Sequence, residues 1–323
     1  MKERTTVNKN PASGRRRFNF STVMLLVVIL GLMFFALSLA TDKFLTLSNM
    51  QNLVRQTAIS GVIAIGMTIV IISAGIELSV GATAGLSGVL CAIFMGTLGW
   101  PIFPSVAASV LLATLVGVFN GVMVHDGKVP PFIATLGCMT AVRGVIMLIT
   151  NARMISGLPK TFVTFAKSTF LGVPMLGLVW LIVILASFVI IRYTTFGRNV
   201  FAFGSNPEAA RLSGINIRLT TYGVYVYCAL LSAIAGVMMT ARLGNGVPTG
   251  GMGYETDAIA AAVIGGASLM GAEGSIIGTV LGSLIMATLR NGGNLLGVNS
   301  FVLEIVIGLL IVFAVLLDKR RKR

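Results

Sequence analysis

Ser73-Ala74-Gly75-Ile76-Glu77-Leu78-Ser79-Val80-Gly81 breaks an apolar pattern that continues on both sides of it. Residues 51–72 before it and 80–98 after it are each about twenty residues long, enough for a helix to cross a bilayer. Irregular backbone at membrane depth persists only where protein or a cavity satisfies its polar groups, so this stretch marks an interrupted helix inside a membrane protein.

Further runs of spanning length lie at 21–40, 104–124, 131–150, 173–191, 220–241, 274–290 and 301–317, with a short glycine-rich one at 256–270. A second break, Gly265-Gly266-Ala267-Ser268-Leu269-Met270-Gly271-Ala272-Glu273-Gly274, precedes the 274–290 run. It shares a Gly-x-x-Leu core with the first, at Gly266 and Leu269 against Gly75 and Leu78, which predicts an internal repeat pairing the two breaks. Small residues recur at helical spacing after each, from Gly81 to Gly88 and from Gly274 to Gly282, and let helix backbones approach closely.

Composition agrees with the pattern. The 323 residues are 56% hydrophobic and 11% charged, with a mean hydropathy of +0.95, far from the charged shell a soluble domain carries. The net charge of +14 is gathered in blocks: Lys2 to Arg17, Lys319 to Arg323, and Arg192, Arg198, Arg211 and Arg218, with Lys128 beside them. These place both termini and the 192–219 loop on the cytoplasmic side by the positive-inside rule, rather than forming a nucleic-acid face. Parity then requires an odd number of crossings after residue 241, so the short 256–270 run counts as a span.

The expected fold class is all-α: a polytopic integral membrane protein of about ten transmembrane helices, with interrupted or re-entrant segments near 73–81 and 256–274. A basic cytoplasmic tail over 1–20 and another over 318–323 flank a single transmembrane domain over 21–317. The run from Phe20 to Ala40 exceeds the roughly 7–15 residues of a secretory signal core and reads as a retained anchor. Arg153, Lys160 and Lys167 fall on the outer side, in a 151–172 loop that reads as an external lid or a surface for a partner.

Cys91, Cys138, Cys228 and His125 share no metal-ligand or disulfide spacing, and no cofactor is expected. So few acids and one histidine also supply no nucleophile, base and orienting group, which argues against an enzyme.

The polar stretch Gly204-Ser205-Asn206-Pro207-Glu208-Ala209-Ala210-Arg211-Leu212-Ser213-Gly214 stands between apolar runs. Asn206 suits a helix cap, Pro207 the first turn, Glu208 the positive end of the helix dipole and Gly214 the stop. A helix of two turns is marginal alone, so a partner is expected to grip it. Ala209 and Ala210 would let that partner's groove close on the backbone, and Arg211 would reach an acidic rim.

The order Gly197-Arg198, Ala202, Gly204, Asn206, Glu208-Ala209-Ala210, Ser213-Gly214-Ile215 resembles the cytoplasmic coupling segment of the ribose-type permeases of bacterial ABC importers. Ile76 to Gly81, Phe132 to Leu136, Arg143-Gly144, Tyr254 to Ala261 and Asn291 to Val298 extend the resemblance over roughly residues 45–317. Glu77 stands where an aspartate is usual in that family, Ala74 where a glycine is, and Ala272-Glu273 where small residues are.

The resemblance implies a permease subunit in the bacterial cytoplasmic (inner) membrane, with Gly197, Gly204, Asn206, Glu208, Ala209, Ala210, Arg211 and Gly214 coupling it to an ATPase. It implies three partners: a cytoplasmic ATPase with two nucleotide-binding halves, an extracytoplasmic sugar-binding protein, and a second permease chain. The chain contains no phosphate-binding Gly-x-x-x-x-Gly-Lys-[Ser/Thr] loop; Gly121 to Val129 has one residue too many and lacks the hydroxyl. ATP hydrolysis therefore belongs to another subunit.

A sugar offers hydroxyls and no charge, so Gln56, Asn120, Asn291 and Asn294 are candidate pathway residues, with Gly75 and Glu77 at the broken helix. Glu77 could hold the break by accepting backbone N–H bonds, or face water at the interface. Arg143 is expected to pair with an acid such as Glu304 or with backbone carbonyls. The alternative to an ABC permease is an ion-coupled secondary transporter or channel for a small neutral solute, for which only Glu77 and Glu304 are candidate coupling acids within the spans.

Overall fold

The computed structural model describes residues 20–321; most of the two basic tails, 1–19 and 322–323, lies outside the described residues. The elements run α1 Phe20–Ala40, α2 Leu47–Ile72, α3 Val80–Ala92 continued by a π-turn Ile93–Thr97, α4 Ile102–His125 and α5 Pro131–Thr150. The short α6 Lys160–Lys167 and the two-residue strands β1 Thr169–Phe170 and β2 Val173–Pro174 precede α7 Met175–Tyr193, α8 Thr195–Ser205 and α9 Pro207–Leu212. The remainder is α10 Ile217–Leu243, α11 Tyr254–Ile264, α12 Ile276–Leu295 and α13 Ser300–Arg321. The protein is an all-α polytopic membrane protein. Among the described residues, α1, α2, α3 with its π-turn, α4, α5, α7 and α10 are long and apolar enough to cross a bilayer.

Contacts at the two ends of the bundle orient its central helices, and chain order orients the rest. At one end the Ala272 amide donates to the Ile72 carbonyl (2.8 Å), joining the end of α2 to the approach to α12. At the same end Asp126, after α4, meets Arg218 and Tyr222 at the start of α10. At the far end Asn49 at the start of α2 exchanges hydrogen bonds with Asn291 near the end of α12 (3.0 and 2.8 Å), and Ile155 pairs with Gly246. Leu37 of α1 packs on Gly292, and Leu303 of α13 on Gly293, both also far-end contacts. Among the described residues the chain thus passes about ten times between the ends, with α8 and α9 at the end where α1 begins.

Two of the ten passages are part helix and part irregular chain. Residues 73–79 turn back from α2 before α3 starts, and residues 244–253 descend from α10 before α11 starts. With 11 residues, α11 is about 16 Å long, half the thickness of a hydrocarbon core.

The two halves repeat in opposite directions. α3 and α4 pack on α10 as α11 and α12 pack on α2. The counterpart of the first break is therefore 244–253, not the 265–274 segment paired with it on the Gly-x-x-Leu core. The backbone explains the difference: Gly266 is left-handed (φ +89), Gly75 is not, and 265–274 turns beneath α11 to reach Ile72.

Helices α2 and α10 carry the core through Ile59, Ile63, Met67, Ile71, Tyr225 and Leu231, and the shorter α3 is buried along nearly its whole length between them and its neighbours. At the end of the bundle, the Tyr222 hydroxyl does most to hold the Asp126 carboxyl below the ordinary carboxylate range, Arg218 adds to it, and partial desolvation opposes. A lowered folded-state value stabilises the protein above the unfolded value of about 3.9 and stops doing so as pH falls through the folded one. The stability gap between the parent and Asp126→Asn should accordingly be full above pH ~4 and close in more acidic solution, read as melting temperature against pH.

Candidate functional site

The polar end element begins with a helix the sequence left unread. Thr194 caps α8 by accepting from the Gly197 amide (3.4 Å), and α8 lays Gly197, Val200 and Gly204 against the bundle. A Cβ on Gly197 would stand 2.1 Å from the Ile191 carbonyl oxygen, and one on Gly204 1.8 Å from that of Ile72. Backbone meets backbone at both places.

Helix α9 follows as its residues predict. The Asn206 side chain accepts from the amides of Glu208 and Ala209, both at 3.0 Å, filling two of the donors a helix start leaves unpaired. Gly214 ends the segment at φ +82, a left-handed conformation suited to glycine. One expectation needs correction. Ala210 is buried against the bundle, so Ala209 alone of the two alanines offers an open face. Arg211 pairs with Glu208 (2.6 and 3.2 Å), three residues before it on the same face, and both side chains stay exposed. The guanidinium holds the Glu208 carboxyl below its ordinary range.

At the first break Glu77 is buried (3% exposed) and does not face water. It accepts from the Ser79 amide (2.7 Å), the Ser79 hydroxyl (2.6 Å) and the Asn120 side-chain amide (2.7 Å). The carboxylate thus supplies acceptors to chain that has left helical bonding, and ties that chain to α4. Ala74, at φ 59, sits in the left-handed region that glycine adopts most freely.

The second break meets the first in the middle of the bundle. A Cβ on Gly81, in the first turn of α3, would lie 2.2 Å from the Gly251 carbonyl oxygen and 2.4 Å from Glu255 Oε2. Arg143 donates to the Gly250 carbonyl (2.6 Å), the backbone alternative expected of it, and the acid near enough to interact with it is Glu255.

Helices α3 and α11, whose first turns meet and which are each entered through unwound chain, match the discontinuous-helix design common in transporters. Residues 49–315 match the family described as branched-chain amino acid transport system / permease component. The chain belongs to this permease family. It is 40% identical to the ribose import permease protein RbsC of Escherichia coli K12, over 96% of this chain and 98% of that one. The RbsC protein of Bacillus subtilis 168 is 42% identical over 95% and 97%. The xylose transport system permease protein XylH of Escherichia coli K12 is 35% identical over 96% and 95%. No solved structure matches the chain. A multi-pass membrane permease, and not an enzyme, is what these similarities describe.

Within the permease, the pathway candidates fall into three places. Gly75, Glu77 and Asn120 belong to the first break, where a Cβ on Gly75 would meet the Tyr225 hydroxyl at 3.1 Å. Asn291 spends its amide on Asn49 at the far end, where Asn294 is exposed. Gln56 lines a small polar cleft with Ser60, Tyr254, Asp257, Ser283 and Arg290.

That cleft holds what the sequence reading missed. Asp257 of α11 and Arg290 of α12 form an ion pair at 2.6 Å, so Glu77 and Glu304 are not the only acids within the permease's spans. The signal was present, since an acid and an arginine in neighbouring spanning segments call for each other at membrane depth.

Glu77→Gln tests the role of charge at the break. The glutamine carbonyl can accept from Ser79, and once the Asn120 amide turns over, the glutamine amide can donate to Asn120 Oδ1, which has no partner in the structure. Melting temperature should stay close to that of the parent while the uptake rate falls about tenfold, ~1.4 kcal/mol in the transport barrier. Unchanged uptake would reduce Glu77 to a structural tie.

Proposed function

We propose that this permease is the membrane-spanning subunit of an ATP-binding cassette importer for a monosaccharide, ribose or a related sugar. The observation that carries the reading is α9: a capped, polar, two-turn helix anchored through the buried face of α8 and presenting Asn206, Glu208, Ala209 and Arg211 at one end of the bundle. The names of the ribose and xylose relatives support the sugar, and the lack of a phosphate-binding loop in the chain supports a separate motor.

In this reading a cytoplasmic ATPase with two nucleotide-binding halves grips α9 on each of two permease chains. An extracytoplasmic sugar-binding protein delivers solute to the opposite end, where Arg153, Lys160 and Lys167 lie. The basic blocks in the tails and in 192–219 support placing both termini and α9 in the cytoplasm. Closure of the ATPase on nucleotide favours one spacing of the two α9 helices, and the permease shifts toward the state that fits it. Gly197 and Gly204 transmit the shift by keeping α8 flush on the bundle.

Purification in mild detergent should recover the permease with a tandem ATPase, and uptake in vesicles should survive a protonophore while ATP is held constant. Solute transport by the purified chain alone, or collapse of uptake under the protonophore, overturns the proposal in favour of an ion-coupled carrier.

A further inference from the structure

A cavity of about 460 Å³ opens between α4, α6, α7 and α10, toward the far end. Its walls include Ile102 and Val110 of α4, Phe162 and Phe165 of α6, and Val237 and Ala241 of α10; Thr161 is the one polar residue among those lining it. From Ile102 to Val110 the groove runs about 12 Å along α4. An apolar lining gives a hydroxyl-rich solute nothing to bond, so the groove is not a sugar route. Its size falls within the roughly 300–1,000 Å³ of pockets that hold small molecules.

Its surroundings say what fills it. Leu111 and Leu115 on α4 and Leu181 and Leu185 on α7 are exposed on the faces of those helices turned away from the groove, so the helices that wall it carry an apolar outer surface of the kind that borders lipid. α6 is amphipathic, with Phe162 and Ala166 buried, Phe165 half-exposed, and Lys160 and Lys167 exposed at its two ends. Such a helix lies in the interface plane, its apolar side toward acyl chains and its lysines among headgroups. Residues 151–174 carry Arg153, Lys160 and Lys167 and no Asp or Glu, so the segment that bears α6 is purely cationic.

We propose that this groove holds one acyl chain of an anionic phospholipid, whose phosphate lies at the lysines of α6. Bound there, the lipid fills the gap between α4 and α10 and fastens α6 to the bundle. The external 151–174 segment then depends on lipid for its position, independently of which solute the permease carries.

The test is lipid retention by the full chain, purified with its partners from membranes containing phosphatidylethanolamine and phosphatidylglycerol, read by native mass spectrometry and lipid extraction. The parent should retain phospholipid enriched in phosphatidylglycerol. Val110→Trp and Ala241→Trp fill the groove from opposite walls, and each should lower retained lipid about tenfold. Lys160→Glu combined with Lys167→Glu should keep an acyl chain bound but abolish the preference for phosphatidylglycerol. Should one tryptophan variant fail to fold, the other decides. Parent-level retention in a folded tryptophan variant, no retained phospholipid in the parent, or no headgroup preference in the parent overturns the proposal.

Discussion

Gly204→Val is expected to abolish uptake and to lower the melting temperature of the chain itself. The added Cβ would sit 1.8 Å from the Ile72 carbonyl oxygen, 2.9 Å from its carbon and 3.0 Å from the Ala272 amide nitrogen. All three are backbone atoms, which cannot swing aside as a side chain would. The Ile72 carbonyl is also the acceptor that receives the Ala272 amide, so relieving the clash breaks the hydrogen bond between the end of α2 and the approach to α12. Overpacking and loss of a buried backbone bond together cost on the order of 2–6 kcal/mol, enough to unseat α8. Gly31→Ala is the control: α1 has nothing within 4 Å of that Cβ, and a helical Gly→Ala change is mildly favourable. A Gly204→Val chain that melts and transports like the parent would show that α8 does not lie flush on the bundle.

Much of this arrangement was legible in the chain because lipid leaves few alternatives. Nine apolar runs became α1 to α5, α7, α10, α12 and α13, with ends shifted by a few residues. Asn206, Pro207 and Gly214 marked α9 because capping depends on adjacent residues alone. What escaped was decided by distant contacts. α8 mixes Arg198 and Asn199 with small residues and phenylalanines, and it is seated by Gly204 against the distant backbone of Ile72 and Ala272, with Gly197 on the Ile191 carbonyl just before it.

The counterpart of the first break was missed for the same reason. Residues 244–253 share no motif with 73–79; they match only in following a long central helix and preceding a short one. Asp257 and Arg290 are 33 positions apart and look like isolated costs until α11 and α12 are laid together. Glu77 lay between two readings, a tie for the broken helix or an interfacial acid, because sequence gives its neighbours but not its depth.

Ala209→Trp should leave the permease folded and cut uptake by at least about a hundredfold, the loss of ~2.8 kcal/mol in coupling. Ala209 is exposed on α9, so within this chain the indole meets only water, and surface changes of that kind shift stability by roughly ±0.5 kcal/mol. Ala210, one residue on, is buried against the bundle, and Ala210→Trp should lower the melting temperature directly. Both variants lose uptake, but only Ala209→Trp does so with parental stability. A docking element predicts that separation, whereas a connector lying on the membrane surface tolerates Ala209→Trp. The deciding measurement is solute-stimulated ATP hydrolysis in proteoliposomes carrying permease, motor and binding protein. It should fall to the unstimulated level for Ala209→Trp, since a permease that cannot bias the motor gains nothing from solute. Normal stimulation and normal uptake in a well-expressed Ala209→Trp chain would move the motor's contact away from α9, and with it the assignment of Asn206, Glu208 and Arg211.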